Sequence, residues 1–261
     1  MDFTGKVALV TGAGSGIGKA AALRLAAEGC AVGILTRSAD EAAAVAGEIQ
    51  DRGGRAIALV ADVGNEDQVK AATATLVREY GGLDHIFANA GINGVWAPID
   101  EISPDEWDQT IATNLRGTYL TLHYGVPHLK RRGGGAVVIT ASVNGTRIFS
   151  NPGATAYSCT KAAQVAMTKM LALELAKFRI RVNAVCPGAI DTSIDDNTWK
   201  RSSDVAGEPV EYPEGKIPLT NGKPGSAEEV ADLVLFLLSD KARHISGTPV
   251  WIDGAESLLV G

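Results

Sequence analysis

Tyr157 and Lys161 stand four residues apart near the start of an alanine-rich stretch with helical spacing, so both side chains leave one helix face and can address the same ligand. A phenol, with an unperturbed pKa of about 10, is a poor base near neutrality, and a neighbouring ammonium favours its ionised form. The pair suits proton transfer at a single oxygen atom. Alone, Tyr-x-x-x-Lys is a weak motif; its setting adds weight. Ser142, a hydroxyl able to orient and polarise the same oxygen, lies just past the apolar run 135–141. Near the N-terminus, Thr11-Gly12-Ala13-Gly14-Ser15-Gly16-Ile17-Gly18 separates the first apolar run from the first helical one. Glycines there let the backbone turn tightly and approach a pyrophosphate, whose charge is met by the N–H groups and dipole of the helix start. The spacing is G-x-x-x-G-x-G rather than G-x-G-x-x-G, and no G-K-[ST] follows, which excludes a P-loop for nucleoside triphosphates.

These residues need a scaffold that carries them to one edge. Short apolar runs and helical periodicities alternate along the chain: strand 6–11, helix 17–28, strand 31–36, helix 39–51, strand 55–61, helix 66–79, strand 84–88, helix 104–130, strand 135–141, helix 154–177, strand 180–186, helix 227–238 and strand 248–252. Capping boxes mark three helix starts: Ser38/Glu41, Ser103/Glu106 with Pro104 at the first helical position, and Ser226/Glu229. Strict alternation predicts an α/β fold, a doubly wound parallel sheet of about seven strands with helices on both faces, which takes its ligand at the C-terminal edge. No composition shift divides the chain, so 1–261 is expected to form one domain. The irregular stretch 193–225, rich in Pro, Gly, Asp and Glu, is longer than an ordinary connection. It reads either as a lid over an active site or as a loop that only joins its neighbours.

Composition narrows the function. The 261 residues are 46% hydrophobic, which suits a globule. Thirty acidic side chains against twenty-four basic ones leave a net charge of −6, a poor footprint for nucleic acid. The longest apolar runs, such as 233–238, fall far short of a bilayer span, and Met1-Asp2-Phe3-Thr4-Gly5-Lys6 lacks a signal pattern, so no membrane partner and a cytoplasmic location are expected. Cys30, Cys159 and Cys186 are odd in number and form no CxxC. His123 and His128, five apart, do not share a helix face, so no metal site is expected.

Taken together, the motifs resemble the short-chain dehydrogenase/reductase family over essentially the whole chain. Thr11-Gly12 with Gly16 and Gly18 matches that family's cofactor loop, Asp62-Val63 its adenine-contacting pair, and Asn89-Ala90-Gly91 its fourth-strand motif, with Ala88 where another asparagine is frequent. Asn114, Ser142, Tyr157 and Lys161 match its catalytic tetrad, and Pro187-Gly188 through Ile190 and Thr192 its nicotinamide-side segment. The resemblance implies a Rossmann-type dinucleotide-binding catalytic domain, with Ser15 and Ile17 in the cofactor loop. It also implies a homotetramer and an Asn114 that interrupts its helix to hold a water leading protons to the lysine.

The implied reaction is hydride exchange between a nicotinamide cofactor and a secondary alcohol or ketone. Tyr157 is then the acid/base, Lys161 the group that lowers its pKa and holds the nicotinamide ribose, and Ser142 the donor to the substrate oxygen. A ribose 2′-hydroxyl is normally held by an acid about 20 residues after the glycines, and a 2′-phosphate by a cation. Thr36 occupies the acidic position and Arg37 follows it, so NADP(H) is expected to be preferred, with NAD(H) possible if Arg37 merely caps the strand. Candidate substrate contacts are Asn93, Trp96, Asn144 and Arg147. Lys130-Arg131-Arg132 reads either as cations complementing a helix C-terminus or as a dock for an acyl carrier protein, as in the related 3-oxoacyl reductases. The competing readings are thus a 3-oxoacyl-[acyl-carrier-protein] reductase and, from another class, a dinucleotide-binding sensor without turnover.

Overall fold

The structure, a computed structural model, describes residues 1–192, 194, 197–207 and 216–260. Strand β1 (Val7–Thr11) is buried at every position. Its side chains alternate between the faces of the sheet: Ala8 and Val10 join the core on one side, Val7 and Leu9 the core on the other. A strand covered twice needs apolar residues throughout, which is why this run shows no polar alternation. Strand β4 (His85–Ala88) is likewise buried throughout, and β2 (Ala31–Thr36), β6 (Gly135–Thr140) and β7 (Ile180–Pro187) are buried at all but one position each, while β3 (Arg55–Val60) and β9 (Pro249–Ile252) form the margins.

The sheet order is β3-β2-β1-β4-β6-β7-β9, all parallel. Helices α1 (Gly16–Ala27), α2 (Ala39–Asp51) and α7 (Ala227–Leu238) cover one face through Leu25, Val45, Ile49 and Val234. Helices α3 (Glu66–Tyr80), α5 (Gly117–Arg132) and α6 (Thr155–Ala176) cover the other through Leu76, Leu129 and Leu175. Each fully buried leucine contributes roughly 1.5–3 kcal/mol. The chain winds outward from β1 to β3, then returns to place β4 on the far side of β1. The two windings part at the C-terminal ends of β1 and β4, where such sheets open a ligand crevice.

Most element boundaries fall within one residue of the sequence expectation. The expected helix 104–130 is instead α4 (Pro104–Thr110), a π-helical turn at Ile111–Arg116, and α5. The cause is tertiary: Asn114 is drawn inward, its Oδ1 accepting from the Ile92 N–H (2.8 Å) and its Nδ2 donating to the Ile92 carbonyl (2.9 Å) and Thr160 Oγ1 (3.2 Å). Its own carbonyl accepts from Gln164 Nε2 (2.9 Å) and Thr118 Oγ1 (2.7 Å). A second correction is a parallel pair of three-residue strands, β5 (Gly94–Trp96) and β8 (Thr198–Lys200), too short to announce themselves by periodicity.

The capping boxes at Ser103 and Ser226 are complete, but that at Ser38 is half built. Ser38 Oγ accepts from the Glu41 N–H (3.2 Å), yet the Glu41 carboxylate accepts from Thr36 Oγ1 (3.3 Å). Of the segment 193–225, residues 193, 195, 196 and 208–215 lie outside the described residues. The described part is tied down by β8, by the Arg201 N–H donating to the Trp96 carbonyl (2.9 Å), and by the Arg201 guanidinium on Glu106 (3.0 Å). Among the described residues, no helix is long and apolar enough to cross a membrane.

Candidate active site

The strand ends open onto a cleft of about 690 Å³, a size suited to a small-molecule ligand. Asn89 joins three of its walls. Its N–H donates to Thr11 Oγ1 (3.0 Å), its Nδ2 to the Thr11 carbonyl (3.2 Å), and its Oδ1 accepts from Thr140 Oγ1 (3.0 Å), which links the ends of β1, β4 and β6. Gly12 has φ +63°, and a Cβ on it would lie 2.9 Å from Ala90 Cα; a Cβ on Gly18 would run into the Gly12 carbonyl. Glycines at these positions thus let the loop pack closely on Ala90 and on its own helix, which forms a backbone-lined cradle with the first amides of α1 behind it. That cradle fits the pyrophosphate of a dinucleotide. Gly12, Ser15, Gly16 and Ile17 line the cleft, whereas Gly18 stands behind it and holds the loop against the helix.

Helix α6 delivers Tyr157 and Lys161 to the cleft wall, only 7% and 3% exposed. Lys161 Nζ donates to the Thr140 carbonyl (2.8 Å) and lies 5.4 Å from the centre of the Tyr157 ring. Ser142 Oγ accepts from the Asn144 N–H (3.1 Å), and the Ser142–Tyr157 hydrogen bond favours phenolate. Burial nevertheless dominates and pushes the phenol up to about 12. The same dryness pushes Lys161 down to about 8. Lowering of the Tyr157 pKa by Lys161 is therefore not met in the protein alone: the environment that disfavours phenolate also disfavours the ammonium that was to stabilise it. Asn114 is fully buried one layer behind, where it fixes the Ile92 backbone under the cleft.

Val63, Ala90, Gly91, Pro187, Gly188, Ile190 and Thr192 line the cleft. Asp62 does not; its carboxylate accepts from the Gly64 N–H (2.8 Å) and shapes the turn into α3. Thr36 and Arg37 line the far end, joined there by Glu41. On the other side, Asn93, Trp96 and Asn144 line the wall beside Tyr157, with the Trp96 and Tyr157 rings 6.4 Å apart. Asn93 donates to Thr198 Oγ1 (2.7 Å), and Asn151 to Asn144 Oδ1 (2.6 Å).

Arg147 is a correction: its guanidinium stacks 3.7 Å above the Trp251 ring and donates to Ser257 Oγ (3.4 Å), away from the cleft lining. The cation–π contact draws it onto β9. Sequence reasoning missed Thr140, Ile148, Asn151, Asn197 and Glu41 as lining residues. The first four carry no local signal, and the capping pattern accounted for Glu41. Lys130, Arg131 and Arg132 end α5 beside the N-terminal end of β6, so the six-residue strand, roughly 20 Å long, separates them from the cleft.

A family model described as short chain dehydrogenase matches residues 6–203. The levodione reductase of Leifsonia aquatica is 37% identical over 98% of this chain and 95% of its own length. A 3-ketoacyl-ACP reductase structure from Sinorhizobium meliloti 1021 is 59% identical, with a TM-score of 0.94 over 97% of this chain and 99% of that one. A 3-ketoacyl-(acyl-carrier-protein) reductase structure from Brucella melitensis, complexed with NADH, is 33% identical, with a TM-score of 0.86 over 98% and 100%. The Rossmann-type α/β architecture expected from the sequence is the one these structures share.

Proposed function

The chain belongs to the short-chain dehydrogenase family of oxidoreductases, and from that premise we propose that it interconverts a secondary alcohol and a ketone, residues 1–261 acting as one dinucleotide-binding catalytic domain. The convergence of Ser142, Tyr157 and Lys161 on one wall of the cleft carries the reading. A bound nicotinamide dinucleotide would supply or accept the hydride. Tyr157, neutral at pH 7, donates its proton to the carbonyl oxygen in reduction and takes it back in oxidation. Ser142 orients and polarises that oxygen. Lys161, anchored on Thr140, offers its remaining hydrogens toward the cofactor ribose and the phenol. Asn114 positions the floor through Ile92, and Gln164 holds the Asn114 carbonyl.

Arg37 at the far end supports NADP(H) as the preferred cofactor, and NAD(H) also fits the cradle. On the substrate side, Trp96, Ile148 and the amides of Asn93, Asn144, Asn151 and Asn197 offer a polar, uncharged wall with an aromatic face. With Arg147 withdrawn, that wall favours a neutral ketone or alcohol. Exposed Met170 and Leu173 on α6 support assembly as a homotetramer.

The Sinorhizobium relative, 59% identical, favours a second reading, a 3-oxoacyl-[acyl-carrier-protein] reductase. Its carrier would have to dock somewhere other than Lys130-Arg131-Arg132, which faces the opposite edge of the sheet. Oxidation of reduced cofactor with a panel of neutral cyclic ketones, sugars and acyl thioesters tests the assignment. Turnover is expected to be greatest with neutral ketones. Highest turnover with acyl thioesters would select the second reading, and proven dinucleotide binding without turnover would leave a sensor.

A further inference from the structure

Glu41 is the acidic side chain at the end of the cleft where Arg37 lies, and its position is unusual for the pattern it belongs to. In the other two boxes of the same spacing, the glutamate reaches back to the N-cap backbone: Glu106 accepts from the Ser103 N–H (2.9 Å) and Glu229 from the Ser226 N–H (2.7 Å). At Ser38 the backbone half of the box is made, while the carboxylate takes the Thr36 hydroxyl at the end of β2. It also lies against the glycine loop, since a Cβ on Gly14 would collide with Glu41 Oε2 and come within 2.9 Å of Glu41 Cβ. The carboxylate therefore spans the gap between the cradle and the end of β2, where the ribose of a dinucleotide is recognised.

We propose that Glu41 sets the dinucleotide preference in opposition to Arg37, accepting from a ribose 2′-hydroxyl and repelling a 2′-phosphate. This rests on the reading that the cleft takes a nicotinamide dinucleotide. A 2′-phosphate brings up to two negative charges beside a carboxylate that the protein has placed there, whereas Arg37 attracts them from the same end. The two exposed charges partly cancel, so the enzyme accepts both dinucleotides with a narrow margin. The Ser38 N–H gives Glu41 a second seat three residues back, the one its counterparts occupy. Moving there withdraws the charge without unfolding the turn, and the cost of losing the Thr36 contact falls on NADP(H) binding alone. A glutamate at the third position of α2 thus takes the part that the sequence left unfilled when Thr36 replaced an acid at the strand end.

Dissociation constants for NADPH and NADH, read from tryptophan fluorescence quenching or calorimetry with no substrate present, test the proposal on wild type and Glu41→Gln. The variant is expected to bind NADPH about tenfold more tightly while NADH changes less than threefold. Because both partners are exposed, this gain should shrink as ionic strength rises. An unchanged NADPH/NADH ratio in Glu41→Gln, with wild type binding both, overturns the role of Glu41 and leaves the cofactor reading intact. A ratio shift that is the same at low and high salt overturns the electrostatic account. Failure of wild type to bind either dinucleotide overturns the cofactor reading, and this proposal with it.

Discussion

The two ends of the cleft are built on opposite physical terms. Around Tyr157, the working side chains are buried and individually tied: Lys161 to Thr140, Ser142 to the Asn144 backbone, Asn114 to Ile92 and Thr160. Around Arg37 and Glu41, the charges are exposed, and Glu41 has two seats within reach. Burial at the first end raises the proton affinity of Tyr157 and lowers that of Lys161, so the phenol rests protonated and ready to donate, and the charge of an oxidised cofactor would have to bring its pKa down before it could act as a base. Exposure at the second leaves charges screened and adjustable, which suits discrimination between ligands that differ by one phosphate. Under the function proposed above, reaction type resides in the dry end and selectivity in the wet one.

The sharpest way to break this contrast is Tyr157→Phe. It removes the proton donor and spares the glycine loop, so turnover should fall about 10³-fold while the NADPH dissociation constant moves less than threefold. Near wild-type kcat in that variant would remove Tyr157 from the chemistry.

Next is the pH dependence of stability. Unfolded, Lys161 holds its proton up to about pH 10.5, and folded it releases it near 8. Between those values the unfolded chain binds more protons, so unfolding free energy rises with pH through that window, and below 8 the cost of the buried ammonium is fully present. The rise should total about 3 kcal/mol over the full window, at about 1.4 kcal/mol per unit. Tyr157 acts oppositely only above pH 10, its unfolded pKa, where the folded phenol still keeps its proton. Denaturant midpoints measured from pH 7 to 9, below the range where the buried Cys30 and Cys186 thiols, both pushed up to about 12, act oppositely, should therefore climb in wild type and stay flat in Lys161→Met. Parallel curves would show that Lys161 is not held in a dry site.

The smallest effect belongs to the exposed end. Arg37→Ala removes a charge-assisted contact to a 2′-phosphate and should lower the NADPH over NADH preference in kcat/KM about tenfold, with Tyr157-dependent turnover on NADH unchanged. A drop of equal size with both cofactors would place Arg37 in general binding instead of discrimination.

Much of this design is legible in the residues themselves. The order of strands and helices, the glycine loop, and the Tyr157–Lys161 face all depend on spacings of a few residues, over which backbone periodicity and capping act. Both faces of β1 can be read from its unbroken apolar run. The break in the helix at 111–116 is legible only through the family resemblance, which implies that Asn114 interrupts its helix; helical spacing alone misses it, since its cause is Ile92, some twenty residues earlier, claiming the Asn114 amide. Likewise, the sequence pairs Glu41 with Ser38 by a local rule, and only the approach of β2 and the glycine loop offers it another partner.

What the sequence by itself determined, then, is the set of elements and the chemical types brought to the sheet edge, because those follow from local propensity and burial on each strand. Only the tertiary structure decided which side chains face the cleft and how they titrate. Arg147 turns to Trp251, more than a hundred residues on, Asn93 pairs with Thr198 across the β5–β8 contact, and Tyr157 and Lys161 are dried by neighbours from several strands. Partner choice and desolvation both depend on which distant segments the topology places alongside, and no spacing within a single helix or strand encodes that.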